Sequence, residues 1–160
     1  MHATRNDLDE KIRRKVGALL QSRLADAIDL TLQAKQAHWN VKGPHFIALH
    51  GLFDAVYAHA TEAVDEFAER IVQLGGAADG TLAHVARTTS LPSYPAGAVT
   101  GDEHLEAMTT ALAAFGKAVR WAADEAAELG DADTADLFTG ISRAADKDLW
   151  MVEAHLHGRT

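Results

Sequence analysis

Residues 38–76 read HWNVKGPHFIALHGLFDAVYAHATEAVDEFAERIVQLGG. The stretch opens on the end of one helical pattern, crosses a breaker and runs through a second helix to a stop. The breaker is Asn40-Val41-Lys42-Gly43-Pro44: glycine frees the backbone, and Pro44 suits the first turn of a following helix. From Pro44 to Leu74, the residues Leu49, Leu52, Phe53, Val56, Ala60, Val64, Phe67, Ile71 and Leu74 recur at helical spacing and mark one buried face. Gly75-Gly76 ends the run, because glycine readily adopts the left-handed conformation that closes helices.

Working outward, Asp7 to Asn40 reads as a preceding helix, with Leu8, Ile12, Val16, Leu20, Leu24 and Ile28 as its apolar stripe. Beyond Gly76, residues 77–99 are irregular. Thr81 to Arg87 has room for a short helix, and Pro92, Pro95 and Gly97 forbid a continuous one. A link this long suits either a crossover along a bundle or a mobile loop. Thr100 and Glu103 have capping-box spacing and start a third long helix, carrying Leu105, Met108, Leu112, Phe115, Val119 and Ala122 to about Leu129. After the turn Gly130-Asp131-Ala132-Asp133, a last helix runs to about His157 with Leu137, Ile141, Ala145, Leu149, Val152 and Leu156. Four long helices with a long connection between the second and third imply an all-α, ferritin-like four-helix bundle. One domain over 1–160 is expected, with 1–7 as a short N-terminal tail.

The bulk numbers agree. The chain has 160 residues, 48% of them apolar, and only three prolines, a helix-prone globular composition. Cysteine is absent, which excludes disulfides, thiolate zinc sites and cysteine nucleophiles. No apolar run reaches about 18 residues, so no membrane span is expected. Met1 to Lys15 is charged and lacks a signal core, so a cytoplasmic setting is expected. The formal net charge of −8 should repel nucleic acid and attract cations. Nine histidines invite a metal.

The candidate ligands lie in the quoted stretch. His38 closes the first helix. On the second, His50 and Asp54 are four apart and share a face, as do Asp65 and Glu69. Imidazoles mixed with carboxylates suit borderline divalent metals such as iron, manganese, zinc or cobalt. Each pair alone would be an ordinary polar helix face. Asp54 and Asp65 are separated by roughly 16 Å along the helix, too far for one ion with bonds of about 2 Å. Either the two pairs serve different sites, or two chains meet about a two-fold axis and build shared sites. A di-iron centre in the core of one bundle would use Glu-x-x-His motifs, and none is present, which favours the shared reading.

At these residues the chain closely resembles the Dps family of mini-ferritins, the DNA-binding proteins from starved cells. The resemblance is carried by His38-Trp39-Asn40-Val41-Lys42-Gly43, Phe46, His50, Phe53-Asp54, Tyr57, Asp65 and Ala68-Glu69-Arg70, followed by Gly75-Gly76. Thr134-Ala135-Asp136 and Asp146-Lys147-Asp148-Leu149-Trp150 match the family's last helix. The resemblance implies a hollow dodecameric shell. It also implies an iron ferroxidase centre made of His38, His50 and Asp54 from one subunit with Asp65 and Glu69 from its two-fold partner. Fe(II) is then the substrate, hydrogen peroxide the oxidant preferred to dioxygen, and Fe(III) is stored in the cavity, protecting DNA from oxidative damage. By the same resemblance Trp39 sits beside the centre, and Asp136, with Glu128, Asp131 and Asp133, lies near an iron-entry pore. The plainer role for Asp131 or Asp133 is to cap the last helix. Glu62 and Glu66 are candidates to face the cavity and nucleate mineral. Arg70 is expected to be structural, with a carboxylate at the interface as one partner for it. His2, His45, His59, His84, His104, His155 and His157 fall outside the pattern; His59 reads as surface, with reach to a metal as its alternative.

The alternative is a nucleoid protein that compacts DNA, with iron chemistry secondary. The basic residues Arg5, Lys11, Arg13, Arg14 and Lys15 are interleaved with Asp7, Asp9 and Glu10, and only Arg159 and Thr160 follow Gly158. Twelve such chains would carry roughly −96 before bound ions, so DNA binding near neutral pH is expected to be poor.

Overall fold

In the computed structural model, residues 1–157 are described, and Gly158, Arg159 and Thr160, weighed above for DNA binding, lie outside the described residues. The helices follow as α1 (Glu10–Asn40), α2 (Phe46–Gln73), α3 (Leu82–Thr88), α4 (Gly101–Glu128) and α5 (Ala132–Glu153). α1 packs along α2 and α4 along α5, and α1 against α4 joins the two hairpins. The four long helices make the ferritin-like bundle expected, with α3 inside the crossover.

The helix ends are set by local chemistry. α1 starts at Glu10, later than expected, because the Asp9 side chain accepts from Lys11 N at 2.7 Å and caps it. α2 starts at Phe46 rather than Pro44: Gly43 has φ 108°, and Phe46 N donates to its carbonyl at 3.1 Å, so Pro44 sits in a turn ahead of the helix. α2 closes in a Schellman motif, with Gly75 N donating to Val72 O and Gly76 N to Ile71 O, both at 2.9 Å, and Gly75 at φ 85°. The same pair of bonds closes α4, from Gly130 N to Ala127 O and Asp131 N to Ala126 O. Thr100 and Glu103 form the expected capping box. Their bonds hold the Glu103 carboxyl below its ordinary range. α5 ends at Glu153, and tighter turns carry the chain to His157.

The core holds Phe53, Phe67, Phe115, Phe138, Leu20, Leu24, Leu105 and Met108, each with almost no exposure. Phe67 of α2 meets Phe138 of α5 with ring centroids 5.5 Å apart. The stripe on α1 drifts along the helix. Val16, Leu20 and Leu24 are buried, Ile28 is only half-buried, and Ala27, Leu30, Ala34 and Ala37 take over. Steps of four advance about 40° per step around a 3.6-residue helix, so a ridge of that spacing must leave the core.

The crossover is pinned, which resolves the choice between crossover and mobile loop. Polar side chains of α1 catch it along its length. Gln21 exchanges two amide bonds with the backbone of Asp79, at 2.8 and 2.9 Å. Asp26, fully buried, accepts from Ser90 N at 2.7 Å and from Ser90 Oγ. Asp29 accepts from Thr89 Oγ1 at 2.8 Å, and Gln33 donates to Pro92 O at 3.0 Å. Arg23 Nε lies 2.8 Å from Asp26 Oδ2, held by charge. At the far end the Tyr94 hydroxyl meets Nδ1 of the fully buried His104 at 2.5 Å. No helix among the described residues is long and apolar enough to cross a membrane.

Candidate metal centre

His38 ends α1 and His50 lies one turn into α2, so the short breaker folds them face to face. Their rings stack with centroids 3.6 Å apart at 24°. The bonding is reciprocal: His38 Nδ1 lies 2.8 Å from His50 O, and His50 Nδ1 lies 2.9 Å from His38 O. A carbonyl only accepts, so both Nδ1 atoms carry the hydrogen. In the neutral rings Nε2 is then the lone-pair nitrogen, the form that ligates metals. Phe46 covers His50 from one side, with ring centroids 5.1 Å apart.

Asp54 follows one turn after His50. Its Oδ1 is 3.9 Å from His38 Nδ1, and it is paired to Lys35 of α1, whose ammonium also sits 4.3 Å from the centre of the Tyr57 ring. The Lys35 hydrogen bond holds the Asp54 carboxyl below its ordinary range, so it is ionised at neutral pH. An ion bound by Asp54 has to displace or share this ammonium. Lys35 is a residue that spacing along the chain did not single out; it reaches Asp54 only because α1 and α2 lie side by side.

His38, His50 and Asp54 therefore come together, and Asp65 and Glu69 do not join them within the chain. α2 is continuous from Phe46 to Gln73. The step from Asp54 to Asp65 is three turns plus about 20°, so the two carboxylates share a face but stay far apart along it. Asp54, Asp65 and Glu69 are all exposed on that face. Among the described residues, no three His, Asp or Glu side chains already surround one point. Trp39, next to His38, is 67% exposed.

The structure decides three further expectations. Arg70 is structural, as expected, but its carboxylate is inside the chain: it donates to Asp131 Oδ1 at 2.9 Å and to Thr134 Oγ1 at 2.8 Å. Asp131 is 2% exposed and caps α5 through Thr134 N at 3.0 Å, so it is a buried helix cap and not free to line a pore. Asp133, Asp136 and Glu128 are exposed. His59 is more than a surface residue: its Nδ1 lies 2.9 and 3.0 Å from the two oxygens of Asp148, a carboxylate buried on α5. Burial pushes the Asp148 carboxyl up from its ordinary value, more than His59 draws it down. The partners are 89 residues apart, beyond any sequence spacing rule.

Comparison with known proteins places this arrangement. The family model described as Ferritin, a ferritin-like domain, matches residues 17–159. The DNA protection during starvation protein of Agrobacterium fabrum is 43% identical over 159 residues, covering 99% of this chain and 98% of its own. The structure of Mycobacterium smegmatis Dps superposes with a TM-score of 0.92 at 31% identity, covering 97% of this chain and 94% of that one. Dps from Microbacterium arborescens in its high iron form superposes at 0.87 with 34% identity, covering 97% and 99%. Matched in fold and over almost its full length, the chain belongs to the Dps family of ferritin-like proteins.

Proposed function

We propose that this protein is a ferroxidase and iron store: it oxidises Fe(II), preferably with hydrogen peroxide, at sites shared by two subunits, and keeps Fe(III) inside a dodecameric shell. Family membership supports iron storage and DNA protection in general. The finer reading rests on one observation. His38 and His50 lock each other with Nε2 left over, beside ionised Asp54, while Asp65 and Glu69 repeat the carboxylate chemistry further along the same exposed face. Two copies of α2 packed antiparallel about a two-fold axis would bring each half to the other and build two equivalent sites. Exposed Trp39, Ile47 and Trp150 are large apolar groups that contact with further copies would cover.

Iron is the substrate in this reading. Two Fe(II) ions give one electron each to one peroxide, which takes up two protons and leaves as two waters. Asp54 and Glu69 supply negative charge that favours the higher charge of Fe(III). His38 and His50 supply nitrogen donors whose tautomer is set before any metal arrives. Asp65 ligates or orients a neighbouring group. Because the iron passes without free hydroxyl radical, DNA nearby is protected. A DNA-compacting role is less well supported, since the N-terminal segment is not free: His2 N donates to Gly75 O at 2.8 Å, and Arg13 binds Leu74 O at 3.0 Å.

The test mixes anaerobic Fe(II) with the protein, adds peroxide, and follows oxidation by stopped flow and retained iron by size separation. Asp54→Ala and Glu69→Ala should each slow oxidation about tenfold or more, the scale on which even a supporting group at a metal site matters. In co-assembled mixtures of the two variants, each mixed interface regains one intact site, so about a quarter of the sites recover under random pairing. Wild-type oxidation no faster than iron in buffer would sink the ferroxidase reading. Mixtures no faster than either variant would sink the shared site.

A further inference from the structure

Tyr94 and His104 form a polar pair outside the candidate ligand set, and no step of the proposed oxidation uses them. Tyr94 lies in the crossover and His104 in the first turn of α4. The phenol oxygen meets Nδ1 at 2.5 Å, and the ring centroids lie 6.1 Å apart with 26° between the planes. His104 is fully buried and Tyr94 half-buried. The start of α4 packs under the turn that carries the metal half-site. A Cβ on Gly101 would come 2.8 Å from Leu49 Cδ1, on the neighbour of His50. The Asn40 backbone, two residues past His38, acts on the His104 ring.

The pair is arranged to move a proton only when an electron leaves. Asn40 favours the charged imidazole, as a backbone carbonyl does, and Nδ1 is taken by Tyr94. The carbonyl therefore addresses Nε2, which carries the hydrogen, and the phenol donates to Nδ1. Burial pushes the Tyr94 hydroxyl up. Burial also pushes the His104 imidazole down, more than Asn40 and Glu103 draw it up, so the pair rests neutral. A phenol that has lost an electron becomes strongly acidic, and Nδ1 is the acceptor in place. Nε2 has no hydrogen bond of ordinary geometry at rest. A tie that only pinned the crossover to α4 would gain nothing from a buried ring nitrogen left without a bond, which costs stability. An imidazolium formed there gains from the Asn40 carbonyl.

We infer that Tyr94, with His104 as its proton acceptor, is a one-electron relay to the His38–His50 half-site, an inference that rests on the ferroxidase reading above. It acts when peroxide meets a site holding a single Fe(II). Peroxide takes two electrons: the iron gives one and becomes Fe(III), and the Tyr94 phenol gives the other while its proton passes to His104 Nδ1. With two protons from solvent, the peroxide leaves as two waters and no hydroxyl radical is released. The next Fe(II) returns an electron to the phenoxyl radical, and His104 returns the proton, restoring both side chains. The electron has a short route, because His104 and Gly101 lie against the same turn that carries His38 and His50.

The chain has two tyrosines, Tyr57 and Tyr94, so a radical can be assigned by substitution. Assembled protein is loaded anaerobically with one Fe(II) per proposed site, mixed with hydrogen peroxide and freeze-quenched. The same samples are read for iron oxidation by absorbance and for radicals by electron paramagnetic resonance. A tyrosyl signal that persists in Tyr57→Phe, is lost in Tyr94→Phe and decays on a second addition of Fe(II) is the expected result. In His104→Leu the radical should form about 100-fold more slowly, the low end of what a positioned proton acceptor contributes, and its high-field spectrum should shift to that of a phenoxyl without a hydrogen bond. If that variant does not assemble, wild-type protein with isotope-labelled histidine decides: a histidine nitrogen coupling on the radical supports the pair, and its absence overturns it. Fast iron oxidation with no tyrosyl radical, or with one lost in Tyr57→Phe instead, overturns the relay and leaves the ferroxidase reading intact. Oxidation no faster than in buffer overturns both.

Discussion

His38 and His50 each donate Nδ1–H to the other's carbonyl, so the metal-binding tautomer is built into the backbone turn before any ion is present. Asp54 is prepared differently. Lys35 keeps it ionised but also competes for it. Lys35→Gln should therefore tighten Co(II) or Zn(II) binding at Asp54 by about two- to fivefold, in line with the modest strength of exposed ion pairs. Titration at low ionic strength is the check; weaker binding in the variant would mean that Lys35 assists the ion instead. Arg70 shows the limit of reading residues singly. A structural role was legible, but not its partner: the guanidinium ties α2 to the buried cap of α5 rather than to a carboxylate at an interface.

At the scale of elements, the crossover from Leu74 to Thr100 is held by a ladder of α1 side chains, with Asp26 at its centre. Asp26→Ala leaves Ser90 N without its acceptor and Arg23 buried without its counter-charge. Breaking a buried pair from one side costs about 3–5 kcal/mol. Lower resistance to urea is expected, with faster amide exchange in residues 79–92 than in α4 or α5. Unchanged exchange across 79–92 would show that Gln21, Asp29 and Gln33 hold the crossover without Asp26. The crossover in turn explains why the middle of α1 is buried all round, from Arg23 to Ala27.

For the whole molecule, charge and the position of the N-terminus act together. The chain carries a formal −8, Arg14 is paired with Glu10, and the first residues fold back onto the Gly75 turn. Gly75 is closely covered there: a Cβ would come 2.9 Å from His2 O. Among the described residues, two of the N-terminal basic side chains, Arg13 and Arg14, are thus engaged within the chain. No retarded DNA band is expected at neutral pH and physiological salt. A tight complex whose affinity falls steeply with added salt would overturn this and favour the DNA-compacting reading.

The four long helices, the capping box at Thr100 and the stop at Gly75-Gly76 were legible from sequence because each depends on residues within a few positions of one another. The candidate ligands His38, His50, Asp54, Asp65 and Glu69 were legible for the same reason, as a spacing pattern on two adjacent helices, and so was the mismatch between Asp54 and the Asp65–Glu69 pair. What only the tertiary structure decided are contacts between residues far apart in the chain: Lys35 on Asp54, Arg70 on Asp131, Asp26 on Ser90 and His59 on Asp148. Each is a polar group whose partner is selected by which helix faces pack together, and side-chain type and local spacing carry no record of that choice.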